Sequence, residues 1–169
     1  MSARFFGADV LSGSFLQEDL ICVPMVVISP HDGGFTEIEQ AVVAEGFRDH
    51  NSEHAAPEYA KKSQKWLVRD DQGVLVAALS VDVCWDWMYV DELWVSSELR
   101  GSGLGRRLMC AAEECARLQG LQGIWLWTQS WQAAGFYSRL GYQEFCRFPN
   151  FPKGHERIGF RSRFEPTHD

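Results

Sequence analysis

No stretch of these 169 residues is long and apolar enough to span a bilayer, and no Gly-Lys-Ser/Thr follows a glycine run. A spanning helix needs about 20 consecutive apolar residues, so no membrane partner is expected. The second absence excludes the P-loop mode of nucleotide binding. Positive charge is also in deficit: 16 Lys and Arg against 23 Asp and Glu leave a net charge of −7. That balance argues against a general nucleic-acid surface and is compatible with a cationic or amine-bearing ligand. The five cysteines (Cys22, Cys84, Cys110, Cys115, Cys146) are odd in number and lack CxxC spacing. They read as buried, reduced thiols, two of them within one helix. The five histidines are read as lacking ligand spacing, so no metal is expected. The N-terminus has no continuous hydrophobic region, being broken by Asp9, Gln17, Glu18 and Asp19. It is therefore not read as a signal peptide, and a cytoplasmic location is the default expectation. No repeat or low-complexity segment interrupts the chain.

What is present is a chain of one-domain length whose 46% hydrophobic and 23% charged content is ordinary for a globular protein. Its most informative segment is Arg100-Gly101-Ser102-Gly103-Leu104-Gly105-Arg106-Arg107. Before it, Met88 to Val95 has the aromatic and β-branched composition of a strand. After it, Leu104, Leu108, Ala111, Ala112, Cys115 and Leu118 recur at helical spacing, opposite Glu113, Glu114 and Arg117. Glycines at a strand-to-helix turn let a ligand approach the backbone and leave the first helical N–H groups unblocked. Those donors and the helix dipole favour an anion. Arg100, Arg106 and Arg107 stand at the end where the dipole disfavours cations by about 0.3–1 kcal/mol each, and a bound anion reverses that sign. The dinucleotide fingerprint fails, because Arg106 stands where its third glycine belongs.

Along the chain, Met25 to Ser29 reads as a strand. Thr36 to about His50 reads as a helix with Ile38, Val42, Val43 and Phe47 at helical spacing, opened by a Thr36/Glu39 capping box. A polar loop or short helix follows to Lys65. Trp66 to Arg69 and Val74 to Cys84 flank the hairpin signal Asp70-Asp71-Gln72-Gly73. Further strands are expected over 123–128, 142–148 and 155–164, with a helix over 131–140. Early hairpins and later helical crossovers give a mixed sheet and an α+β class.

Arg100, Gly103 and Gly105 occupy the marked places of Arg-x-x-Gly-x-Gly, and Gly135-Phe136-Tyr137-Ser138-Arg139-Leu140-Gly141-Tyr142 follows at a fitting distance. The pair resembles motif A and the Phe-Tyr-x-x-Leu-Gly-Phe signature of the GNAT superfamily of acetyl-CoA-dependent N-acetyltransferases. The resemblance covers about residues 25–163 and leaves residues 1–24 as an N-terminal extension before a domain over 25–165. It reaches a subgroup of small bacterial-type enzymes through Leu-Trp-Val before motif A, the stretch Ser130 to Ala133, and Pro-x-Gly-His-x-Arg over Pro152 to Arg157.

The resemblance implies the GNAT fold, a central mixed sheet flanked by helices, with acetyl-CoA as donor and a small-molecule amine as acceptor. It implies that Arg100, Gly101, Ser102, Gly103, Leu104, Gly105 and Arg106 cradle the pyrophosphate. Backbone groups of Leu93, Trp94 and Val95 would hold the pantetheine arm, with Ala133 and Phe136 beside it. Ser130 stands where the superfamily often has asparagine, which puts that contact in question. Tyr137 aligns with the general acid that serves the leaving thiolate. Asp91 is the preferred general base, on the argument that successive strand side chains face opposite ways; Glu92 is the alternative if a bulge shifts the facing. Water could also serve. Trp85, Trp87 and Trp131 are candidates for an acceptor pocket or for the core. His155 and Arg157 could bind an acceptor carboxylate or complete a hydrogen-bond network. Other readings are a protein N-terminal or lysine acetyltransferase and a non-catalytic acyl-CoA-binding module. A homodimer is left open.

Overall fold

The computed structural model describes residues 26–164. The proposed extension over 1–24 lies outside them. The chain divides into two compact units at the Asp49–His50 link, within the first helix.

In the first unit, Val26–Ser29 form no regular element. An apolar run becomes a strand only through a ladder partner, and none forms within residues 26–49. Helix α1 (Glu37–Glu53) starts where the capping box predicts. The Thr36 amide donates to the Glu39 carboxylate at 2.7 Å and the Glu39 amide to the Thr36 hydroxyl at 3.3 Å. The Thr36 backbone bond also holds the Glu39 carboxyl below its usual range.

The second unit is a six-stranded sheet in the order β1-β2-β3-β4-β6-β5, where β1 is Lys61–Arg69, β2 Leu75–Cys84, β3 Trp87–Val95, β4 Gly123–Gln129, β5 Gln143–Pro149 and β6 Glu156–Arg163. All neighbours are antiparallel except β3 and β4. The β1–β2 turn forms as its sequence suggests: the Asp70 carboxylate accepts the amides of Gln72 and Val74, and Gly73 takes φ +82°. Helix α2 (Leu104–Leu118) crosses from β3 to β4, the parallel connection that needs a crossover. Its buried stripe is Leu108, Met109, Ala112 and Ala116, while Leu118 is exposed. Cys110 is exposed too, contrary to the expectation of burial, and the four described cysteines are free thiols. Helix α3 is confined to Ala134–Arg139, shorter than expected, because Gln132 and Thr128 fold the preceding residues into a turn. The core lies on one sheet face, where Leu79, Val81, Met88, Ile124, Leu126 and Phe160 pack with α2, Tyr137 and Tyr142. No helix among the described residues is long and apolar enough to cross a membrane.

Candidate functional site

The parallel pairing of β3 and β4 runs only from Trp87/Gly123 to Val90/Leu126. Beyond it the strands part, leaving the β3 edge from Asp91 to Val95 without a β4 partner. The Ser96 amide donates to Val76 on β2, so by the alternation of antiparallel pairing the N–H and C=O of Val95 and Leu93 point away from β2, into the gap. The gap opens into a cavity of about 1290 Å³. That exceeds the roughly 300–1,000 Å³ of an ordinary small-ligand pocket and suits two ligands or one elongated one.

The β3 wall carries a bulge. Ser80 pairs with Glu92 and Val81 with Val90, so Asp91 is the extra residue. The insertion shifts the phase of the strand. Met88 and Val90 are buried, and the core side resumes at Leu93 and Val95 rather than at Glu92. Asp91 and Glu92 are consequently both exposed and both line the cavity, so strict alternation does not separate them. Neither makes an ion pair among the described residues. Opposite Glu92, the buried hydroxyl of Ser80 also lines the cavity and has no hydrogen-bond partner among the described residues.

At the far end the glycine segment meets the helix. Gly103 caps α2 at φ +85° and ψ 0°, with no side-chain cap, and the first helical bond runs from Arg107 to its carbonyl. The amides of Leu104, Gly105 and Arg106 have no acceptor among the described residues, as expected of a helix start. A Cβ at Gly103 would meet nothing within 4 Å, so the space in front of this left-handed residue is open. Gly105 has another role: a Cβ there would press to 3.4 Å from the Phe136 ring, which packs α3 against α2. Three free amides at a dipole end, with Arg100 and Arg106 on the cavity wall, fit a polyphosphate. The Arg100 Nε donates to the Val95 carbonyl at 3.2 Å, tying this wall to the end of β3.

Of the residues singled out in sequence, the cavity brings together Asp91, Glu92, Leu93, Trp94, Val95, Arg100, Gly101, Gly103, Leu104, Gly105, Arg106, Ala133, Phe136 and Tyr137. Ser102 and Ser130 are not on its wall. The Ser102 hydroxyl donates to the Leu99 carbonyl at 2.6 Å, and Ser130 accepts from the Glu156 amide at 3.2 Å. Ser130 therefore ties β4 to β6 instead of facing the gap. Tyr137 is 6% exposed; burial alone pushes its phenol up to about 12, and the hydroxyl has no protein partner among the described residues. It is held as a neutral donor. The neighbouring Tyr142 phenol, by contrast, donates to Glu113 at 3.0 Å, and burial holds it far above its usual range.

Among the tryptophans only Trp131 of the expected three lines the cavity, edge-on to His155 with centroids 4.6 Å apart. Trp85 donates to the Glu58 carbonyl at 3.2 Å, and Trp87 packs at the closed end of the β3–β4 junction. Sequence reading passed over Ser80, Trp127, Thr128 and Gln132, all on the wall. For Ser80 the available signal was a lone hydroxyl within the apolar run from Leu75 to Val81. Reading also missed His50, Glu53 and His54, whose ligand atoms lie within 4.8 Å of one another. The i, i+4 histidine spacing on a helix was the signal.

Comparison with known proteins adds independent evidence. The model of the acetyltransferase (GNAT) family matches residues 35–142. A blasticidin-S acetyltransferase from Streptomyces morookaense is 42% identical over 85 residues, which are 50% of this chain and 62% of that protein. The chain thus spans less than two thirds of that relative. An acetyltransferase from Bacillus cereus, solved as a crystal structure, is 25% identical with a TM-score of 0.70, covering 80% of this chain and 98% of the other. A structure from Bacillus anthracis described as a streptothricin acetyltransferase, in complex with acetyl coenzyme A, shares the fold with a TM-score of 0.54 at 20% identity over 60% of this chain and 62% of that one.

Proposed function

The chain belongs to the acetyltransferase (GNAT) family, and on that premise we propose that it is an N-acetyltransferase moving the acetyl group of acetyl-CoA to the primary amine of a small molecule, directly within a ternary complex. One observation carries this reading: the gap between β3 and β4 runs from the carboxylates of the Asp91 bulge to the free amides at the start of α2. A donor with a polyphosphate at one end and a reactive group at the other fits such a passage, and an amine can meet the reactive end from the carboxylate side. The acetyltransferases named for blasticidin S and streptothricin support a small-molecule acceptor.

Acetyl-CoA supplies an acetyl thioester, whose transfer to an amine forms an amide and releases a thiol. The chain's own groups then divide the work. Leu104, Gly105 and Arg106 amides with Arg100 hold the pyrophosphate, and the inward N–H groups of Leu93 and Val95 orient the pantetheine arm. One of these inward N–H groups, that of Val95 or its neighbour Leu93, is the donor for charge growing on the carbonyl oxygen. Asp91 or Glu92 accepts the amine proton, directly or through one water. Tyr137 holds a hydrogen-bond donor at the point where sulfur departs. Most of the acceleration comes from positioning two ligands in one cavity.

The test is calorimetry with CoA, ATP and NAD, followed by an amine-panel assay for released thiol. CoA binding with much weaker ATP and NAD, and thiol release with at least one small amine, is the expected result. ATP binding as tight as CoA would overturn the assignment.

A further inference from the structure

On the sheet face opposite α2, the half-buried Arg157 of β6 lies over two aromatic rings, 5.1 Å from the Trp127 centroid and 5.5 Å from that of Phe151. No carboxylate among the described residues lies within ion-pair distance of it. Acids of neighbouring strands are committed elsewhere. Glu156 is paired with Arg147, and Asp82 is bound to Lys61 at 2.7 Å. Arg157 is thus a cation stacked on aromatic surface, and Trp127 beneath it is part of the cavity wall. Asp91 is on the same wall and is equally unpaired. Tyr89 marks how close these two charges come: burial and the Asp91 carboxylate raise its phenol, while the Arg157 guanidinium lowers it. Arg157 also hydrogen-bonds the Tyr89 phenol, two residues from Asp91 on β3, and no ion pair joins Arg157 to Asp91 among the described residues. Asp91 and Trp127 both line the cavity and Arg157 lies on the Trp127 ring just outside that lining, so an anion and a cation stand near its acceptor side and match a ligand carrying the opposite charges at its two ends.

Building on the acetyltransferase reading above, we propose that Arg157 binds a carboxylate of the acceptor, so that the amine acetylated here belongs to a zwitterion whose amino group faces Asp91. The guanidinium provides the bidentate fork a carboxylate needs, and the rings beneath it keep that fork flat and partly dehydrated.

The experiment compares matched acids and carboxamides on the intact protein: 4-(aminomethyl)benzoate against its amide, and straight-chain ω-amino acids against theirs. Dissociation constants are read with and without saturating CoA, together with thiol release. The wild type is expected to prefer at least one acid over its amide by about tenfold or more, the scale of a charge-assisted hydrogen bond. Arg157→Gln should abolish that ratio while leaving amide and CoA binding unchanged, and Arg157→Lys should retain part of it. Equal binding of acid and amide across the wild-type pairs overturns the proposal without any variant, as does a ratio that survives in Arg157→Gln. Should CoA fail to bind, the acetyltransferase reading falls, while the acid-to-amide ratio without CoA still judges Arg157.

Discussion

Replacing Tyr137 by Phe removes one oxygen from a ring that is 6% exposed and has no other polar tie to the protein among the described residues. Its loss should change stability by no more than about 1 kcal/mol, since no protein hydrogen bond is broken. The effect on turnover follows from acidity. Burial raises the phenol to about 12, whereas an alkyl thiol titrates near about 8.5. Complete proton transfer to a departing thiolate would run uphill by about 3.5 units, or roughly 5 kcal/mol. Tyr137 should therefore act by donating a hydrogen bond: the ammonium gives its first proton to Asp91 or Glu92 before attack, and the second, shed as the amide forms, is the one that sulfur finally carries. A hydrogen bond to a charged group contributes about 1.5–3 kcal/mol, which converts to a loss of about 10–150-fold in kcat. The assay is single-turnover thiol release with the acceptor found by the amine panel, alongside calorimetry expected to give an unchanged CoA affinity. Wild-type kcat with chemistry rate-limiting would remove Tyr137 from the mechanism. A loss well beyond 10³-fold would show full proton transfer and refute the acidity argument. The same shift has a thermodynamic signature. The folded phenol's affinity for its proton is raised above the unfolded value of 10.0, so the stability it contributes is fully present below pH 10 and declines as pH rises toward about 12. The decline amounts to about 3 kcal/mol for two units, and the Phe variant should lack that portion in denaturant titrations at high pH.

Two glycine substitutions should separate the donor cradle from the scaffold. Gly103→Val places a β-branched residue at φ +85° in front of the open amides. It should cost about 1–2 kcal/mol of stability and weaken CoA binding by much more than tenfold; normal CoA affinity in a folded variant would refute the cradle. In Gly123→Ala the new Cβ would sit 2.3 Å from the Ser162 carbonyl oxygen and 2.7 Å from the Trp87 ring. Overpacking against backbone should destabilise by about 3 kcal/mol or more in urea titration, and a loss under about 1 kcal/mol would contradict it.

The phosphate end of the site was legible because its signal is local. Glycines, arginines and an amphipathic helix follow one another directly in sequence, and the Thr36/Glu39 cap and Gly73 turn were readable for the same reason. The bulge at Asp91 was also written in the chain, in apolar spacing that steps from Met88 and Val90 to Leu93 and Val95, and the sequence reading held it as the alternative to strict alternation. What sequence could not supply was pairing between distant segments. Ser130 is turned away from the gap by the Glu156 amide, and Arg157 has aromatic rings but no carboxylate partner among the described residues, Glu156 being paired with Arg147. Val26–Ser29 show the converse, an apolar run with strand composition and no ladder partner within its own unit.

The short parallel junction gives the sheet a mechanical character. Four residue pairs join two three-stranded leaves, β1-β2-β3 and β4-β6-β5, and the ladder between them stops halfway along its length. A molecule lodged between the leaves acts as a splint, taking over the work of the missing rungs. Ligand occupancy then registers as cohesion across the whole sheet, with slower amide exchange at Leu93 and Val95 and a melting temperature that climbs with ligand concentration.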